Sequence, residues 1–213
     1  MGLKDTLAAK VAGQLGHPRG KTGRIVGWVL NRGNRELIAG AVDALELAPG
    51  RCAVDIGFGG GIGLALLLDR VGSAGQVHGV EVSAEMVACA ARRFRGAIAQ
   101  GNLELHKTAM TELPFDDAEI DGIITVNTLC FVDQLDRAFA EIAGVLKPGG
   151  RFVIGIRDPE AMATMPVTGH GFRIRPVAEV IDLLAAHQLR LLEHRRVGSG
   201  LRAAHLLITT PEA

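Results

Sequence analysis

The stretch Val54-Asp55-Ile56-Gly57-Phe58-Gly59-Gly60-Gly61-Ile62-Gly63 decides the reading of this chain. It follows a β-rich run, Arg51 to Ile56, and leads into an apolar helical pattern from Ile62 to Val71. A glycine loop between a strand and a helix lets a ligand lie against bare backbone, close to the free N–H groups of the helix start. The dinucleotide fingerprint G-x-G-x-x-G fails in every register. From Gly57 the third glycine would fall on Ile62, from Gly59 on Leu64 and from Gly61 on Leu66. The loop reads D-x-G-x-G-x-G, with an acid closing the strand.

That acid carries information. Asp55 aimed into the crevice would repel a pyrophosphate and suit a cationic amino-acid moiety. Glu81, closing the second β-run (Gln76 to Val82), stands where an acid accepts both hydroxyls of a ribose. Together the two acids specify a ligand with a ribose, a positive group and no phosphate, a description that S-adenosylmethionine (SAM) meets. Asp55 could also act as a simple helix cap.

Outward from the loop, strand and helix patterns alternate. Ser83 is placed to cap a helix, and Met86 three positions on completes only half of a capping box. Further strands are expected at Leu103 to Lys107, at Ile120 to Val126 and at Arg151 to Ile156. Ile120 to Val126 is almost continuously apolar, as in a strand buried on both faces. A helix from about Asp133 to Leu146 should stop at Lys147-Pro148-Gly149-Gly150. After a loop to about Arg175 come a helix, Pro176 to His187, and two strands, Leu189 to Val197 and Ala203 to Thr209. Gly198-Ser199-Gly200 joins the two strands and suggests an antiparallel hairpin closing one sheet edge. Before the core, Lys4 to Leu47 reads as two or three helices, the last with Leu37, Ile38, Ala41, Val42 and Leu45 on one stripe. The alternation implies an α/β, doubly wound, mostly parallel sheet.

Bulk properties exclude several classes. The 213 residues are 48% hydrophobic and 22% charged, which suits a globular chain with one sizeable core. Lys plus Arg equals Asp plus Glu at 23 each, tyrosine is absent and aromatics are 4%. A neutral chain with few rings is poorly equipped to bind nucleic acid. Cys52, Cys89 and Cys130 form no C-x-x-C, so neither a disulfide framework nor a zinc site is expected. No apolar run approaches the length of a membrane span. These features suggest a cytoplasmic protein without stable membrane insertion.

Four segments in order resemble the class I SAM-dependent methyltransferases of the small bacterial type: VDIGFGGGIG, VHGVEVSAEMV, TELPFDDAEIDGIITVNTL and VLKPGGRFVIGI. The resemblance covers about residues 40 to 157. It implies a Rossmann-like sheet of seven strands, six parallel and one antiparallel. It also implies SAM as methyl donor and S-adenosyl-L-homocysteine (SAH) as product. Residues 1–47 are expected to form a helical lid and residues 48–213 the SAM-binding domain. By the same resemblance, Gly57, Phe58, Gly59 and Gly61 would support the methionine part of SAM, and Asp55 its amino group. Glu81 would hold the ribose and Val82 would line the adenine. Where the family often has an acid contacting the adenine amino group, this chain has Ala109, so backbone contacts from Ala109 and Met110 would have to serve. Asn127 would border the methionine and the acceptor.

Displacement at a sulfonium methyl needs positioning and exclusion of water more than a base. Asn127-Thr128-Leu129-Cys130 replaces the N/D-P-P-Y/F sequence usual for nucleic-acid or protein amide acceptors. Asp158 alone matches the acids that hold metal in catechol-type relatives, so no metal is expected. The remaining acceptor class is a small molecule. Its pocket would draw on Trp28, Asn31, Asn34, Cys130, Phe131 and Phe172, with His17 and His170 as possible bases. His78, His106, His187, His194 and His205 are scattered along the sequence without ligand spacing. Residues 1–35 carry seven Lys/Arg against one acid, Asp5, with Ile25, Val26, Trp28, Val29 and Leu30 among them. That segment suits an anionic or lipid-like acceptor or contact with a membrane surface, or is a solvated lid edge. Rival readings are an NAD(P)-dependent oxidoreductase and a SAM-binding protein without transferase activity.

Overall fold

The computed structural model describes residues 34–165 and 172–212. Helix α1, residues 34–44 in its described part, precedes β1 (Cys52–Ile56), α2 (Ile62–Val71), β2 (Gln76–Val80), α3 (Ala84–Arg93) and α4 (Arg95–Ala99). Then come β3 (Leu103–His106), β4 (Ile120–Val126), α5 (Leu135–Val145), β5 (Leu146–Arg157) and α6 (Pro159–Ala163). The chain closes with α7 (Val177–Ala186), β6 (Leu189–Val197) and β7 (Ala204–Pro211). The strands form one sheet in the order β3-β2-β1-β4-β5-β7-β6. β1 to β5 run parallel, β7 runs antiparallel to both neighbours, and β3 and β6 form the two edges. The sheet is therefore six strands parallel and one antiparallel, as expected from the sequence.

Helices cover both faces because alternate strand residues point to opposite sides. On one face α1 (Leu37, Ala41, Val42), α2 (Leu64, Leu67) and α3 (Met86, Ala90) pack with Ala53, Val77, Val153 and Leu206. On the other, α5 (Phe139, Ile142) and α7 (Val180, Leu184) pack with Val54, Ile123, Phe152 and Leu207. The α1 stripe is buried throughout, so the described part of the N-terminal segment is a layer of the core. Residues 1–33 lie outside the described residues.

Most boundaries shift by a residue or two from the sequence reading, and two of the shifts bear on the site and the sheet. β2 ends at Val80, although Glu81 still donates its N–H to His106 O at 3.0 Å. β5 begins at Leu146 rather than Arg151, because Leu146 pairs with Ile120 before the register shifts and Arg151 takes up Gly122. The Lys147–Gly150 segment is therefore a bulge in β5 as well as the stop of α5. Ser83 caps α3 as expected, accepting the Met86 N–H at 3.4 Å.

The strand order reverses between β1 and β4. In open parallel sheets such a switch point leaves a crevice beyond the strand C-termini, since successive connections turn to opposite faces. Asp55 and the glycine loop end β1, Glu81 follows β2, and Asn127 follows β4. All three lie around that crevice.

Candidate functional site

The glycine loop is built from left-handed backbone. Gly57, Gly59 and Gly61 have φ of 74°, 48° and 73°. The alternate-glycine spacing thus supplies three conformations that a side chain disfavours. At Gly57 a Cβ would fall 2.4 Å from Thr128 Oγ1. The loops after β1 and β4 therefore touch through a glycine on one side and a threonine on the other. Thr125 strengthens the same seam, donating from a fully buried hydroxyl to Ile56 O at 2.9 Å.

Asp55 is buried, and its carboxyl crosses to the start of α2. A Cβ on Gly63 would lie 2.2 Å from Asp55 Oδ2, so only glycine allows that approach. The Leu64 N–H donates to the Asp55 carboxyl. Gly61, at the N-cap, supplies no side-chain acceptor, so Asp55 reaches the α2 N-terminus from the strand. Burial, reinforced by the neighbouring Glu81 carboxylate, pushes the Asp55 carboxyl up to about 8 against a single opposing hydrogen bond.

Glu81 ties the corner together. Its Oε2 accepts the Gly59 N–H at 3.1 Å and its Oε1 accepts the Ser83 N–H at 3.0 Å. Each carboxylate oxygen retains a further lone pair for a ligand hydroxyl. Val82, beside it, is exposed at 46%. The Phe58 and Met110 side chains lie in the core, which leaves their backbones as contacts. Ala109 is half-buried, and its carbonyl accepts the Glu112 N–H.

Asn127 holds φ of 56°, a left-handed conformation that Asn tolerates better than most residues. Its Oδ1 accepts the Arg157 N–H at 2.9 Å, which joins the ends of β4 and β5. Arg157 also donates to Asn34 Oδ1 at 2.8 Å, tying α1 to this corner. Beyond Asn127, Phe131 and Phe172 meet with ring centroids 4.8 Å apart. Arg175 donates to Leu129 O and Val132 O, and Arg173 N–H to Cys130 O, so residues 172–175 are strapped to the β4 loop. Burial raises the Cys130 thiol to about 12, far from thiolate formation.

The structure thus gathers Asp55, Gly57, Gly59, Gly61 and Glu81 at one corner. Asn127, Cys130, Phe131 and Phe172 stand beside the β4 end, with Asn34 linked through Arg157. His17, Trp28, Asn31 and His170 fall outside the described residues. Asp158 is occupied as the N-cap of α6, and its Oδ2 contacts Arg196 Nη2 and His205 Nε2. Thr128, Arg157 and Arg175 did not emerge from sequence patterns. Only the proximity of loops distant in sequence gives them roles.

Among the described residues no cation acts on the buried Asp55 carboxyl, so it could accept a cationic group such as the amino group of SAM. The glycine cradle fits a ligand pressed against backbone. The methyltransferase domain family matches residues 54–154. The chain is 32% identical over 106 residues to a 2-phytyl-1,4-naphtoquinone methyltransferase of Trichormus variabilis, covering 50% of this chain and 46% of the relative. It is 27% identical over 168 residues to the O-methyltransferase resE of Aspergillus sclerotiorum, covering 74% and 62%. The chain spans between about a third and three-fifths of the length of the first curated relatives it matches. A SAM-dependent methyltransferase from Aquifex aeolicus shares the fold, with a TM-score of 0.68 at 23% identity, covering 81% of this chain and 88% of the other. The matched family and the order of the seven-stranded sheet agree: residues 54–154 carry a methyltransferase domain of the class I, Rossmann-like SAM-dependent type.

Proposed function

We propose that the protein transfers the methyl of SAM to a small-molecule acceptor with an apolar or anionic character, leaving SAH. The observation that carries this reading is the pair of acids at neighbouring strand ends, Asp55 buried at the α2 start and Glu81 bound to the glycine loop. SAM supplies an electrophilic methyl on a sulfonium centre. The residues of the chain position and enclose. Asp55, ionised by an incoming ammonium group, would fix the amino-acid end. Glu81 would accept the ribose hydroxyls while keeping Gly59 in place. Asn127 and Thr128 would border the reacting end, and the Phe131–Phe172 pair would offer an apolar wall to the acceptor.

An apolar wall and a basic N-terminal segment suit an acceptor with a ring or chain to bury and an anionic edge. The similarity to a naphtoquinone methyltransferase agrees with that class. In-line displacement requires water to be kept out. Where the acceptor must lose a proton, His17 and His170 are the candidate bases.

The test has two stages. Calorimetric titration with SAH, NAD and NADP should show binding of SAH alone, lost in Glu81→Ala. Methyl-labelled SAM is then supplied with a panel of quinols, phenols and small carboxylic acids. Label transferred to one class identifies the acceptor. SAH binding without transfer to any of them would favour a non-transferring SAM protein, and binding of a dinucleotide alone would overturn the cofactor assignment.

A further inference from the structure

We propose a second site, a Zn2+ site of two imidazoles and one carboxylate on β2 and β3, made by His78, Glu104 and His106. The three residues are separated by 26 and 2 positions along the chain, a spacing that hides them in the sequence. The β2–β3 register brings them together: His78 pairs with Glu104, and Val80 pairs with His106. On a pleated strand Glu104 and His106 share one face, which the register makes the face of His78.

The donor atoms converge. His78 Nδ1 lies 3.1 Å from His106 Nε2. Glu104 Oε2 is 3.9 Å from His78 Nδ1, and Glu104 Oε1 is 4.0 Å from His106 Nε2. One ligand atom from each residue lies within 4.8 Å of the other two. Four donors around Zn2+ at about 2.0–2.1 Å stand about 3.3–3.4 Å apart in a tetrahedron. The imidazole pair therefore needs to open by about 0.2–0.3 Å, and the exposed Glu104 carboxylate to swing inward by about twice that. Two His and one Glu leave a fourth position for water.

The surroundings prepare the ligands. Burial holds both imidazoles below their usual range, so they are neutral, the form that ligates. Phe115 packs edge-on to each ring, at 5.0 Å from His78 and 5.4 Å from His106, which limits their rotation. His78 Nδ1 and His106 Nε2 share one hydrogen bond, and among the described residues His78 Nε2 is buried without a partner. Ligation of Nδ1 fixes the proton on Nε2, which has no carboxylate or carbonyl to receive it among the described residues. Missing that outer partner costs about 10–100-fold in affinity, so the site should bind as a weak one, exchanging with free metal. Its effect is to pin edge strand β3 to β2. The sequence reading expected no metal.

The test uses the full chain, freed of purification tag and treated with chelator, titrated with Zn2+ by calorimetry and with Co2+ by visible absorption. One equivalent should bind, with Co2+ giving the intense bands of tetrahedral coordination. Zn2+ at a hundredfold its Kd should raise Tm by about 5–10 °C. His106→Gln and Glu104→Gln, checked for folding by circular dichroism, should each weaken binding by more than about tenfold. His194→Gln removes an imidazole of the separate His194–His205 pair and should leave binding unchanged. No binding by folded protein at millimolar Zn2+ would overturn the proposal. So would binding unaffected by His106→Gln, or binding lost only in His194→Gln.

Discussion

Raising the pH from 6 to 7 should tighten SAH binding about tenfold, and the gain should flatten above about pH 8. The reasoning starts at Asp55, whose carboxyl burial and Glu81 push up to about 8. In the proposed role its counterpart in the ligand is an ammonium group, and binding is productive only with Asp55 ionised. The apparent Kd is then the intrinsic value divided by the ionised fraction, about 1% at pH 6 and about 9% at pH 7. Titration in buffers of different ionisation enthalpy at pH 7 should show close to one proton released per SAH. Asp55→Asn, which keeps an acceptor for the Leu64 N–H, should bind weakly with no such slope. Glu81→Gln removes a like charge and should move the slope to lower pH. In the free protein the sign is opposite. The folded state holds a proton that the unfolded chain sheds above its ordinary carboxyl pKa, so this group's contribution to stability is full at low pH. It is lost as pH rises through about 8. A Kd that stays flat between pH 6 and 7.5, or a slope that survives in Asp55→Asn, would refute the role assigned to this carboxyl and leave it as a helix cap.

Other substitutions probe the frame. Gly57→Ala forces a left-handed alanine at φ 74° and a Cβ onto Thr128 Oγ1. The backbone cost alone, about 1–2 kcal/mol, should lower Tm by about 2–8 °C, and differential scanning calorimetry would detect it. Adding Thr128→Ala should recover only the part due to the clash. Asp158→Ala removes the N-cap of α6, whose carboxylate accepts the Glu160 and Ala161 N–H groups. Urea unfolding should show a loss of about 0.5–2 kcal/mol. The Ala161 N–H foremost, with His205, holds the Asp158 carboxyl below the usual range. Its contribution is therefore present at neutral pH and should fade as pH falls below about 4. Phe172→Ala opens the ring pair with Phe131. It should leave SAH binding unchanged and raise the acceptor KM, and an equal effect on both ligands would remove Phe172 from the acceptor wall.

Much of this protein was legible in its sequence because the signals are local. Strand and helix periods set the order of elements. The D-x-G-x-G-x-G loop separated it from dinucleotide sites, and the left-handed glycines at 57, 59 and 61 explain that spacing. Asp55 and Glu81 stood out because each closes a strand beside a loop, and an α/β sheet exposes its strand ends to ligands. Tertiary structure alone decided what depends on neighbours distant in sequence. It turned Asp55 into a carboxyl titrating near 8, since burial and Glu81 act through space. It gave Arg157 its grip on Asn34 and joined its backbone N–H to Asn127. It also set His78 against His106 through the register of β2 and β3. The physical reason is range: periodicity and turn chemistry act over a few residues, whereas desolvation, charge coupling and strand register join segments only after the sheet has formed.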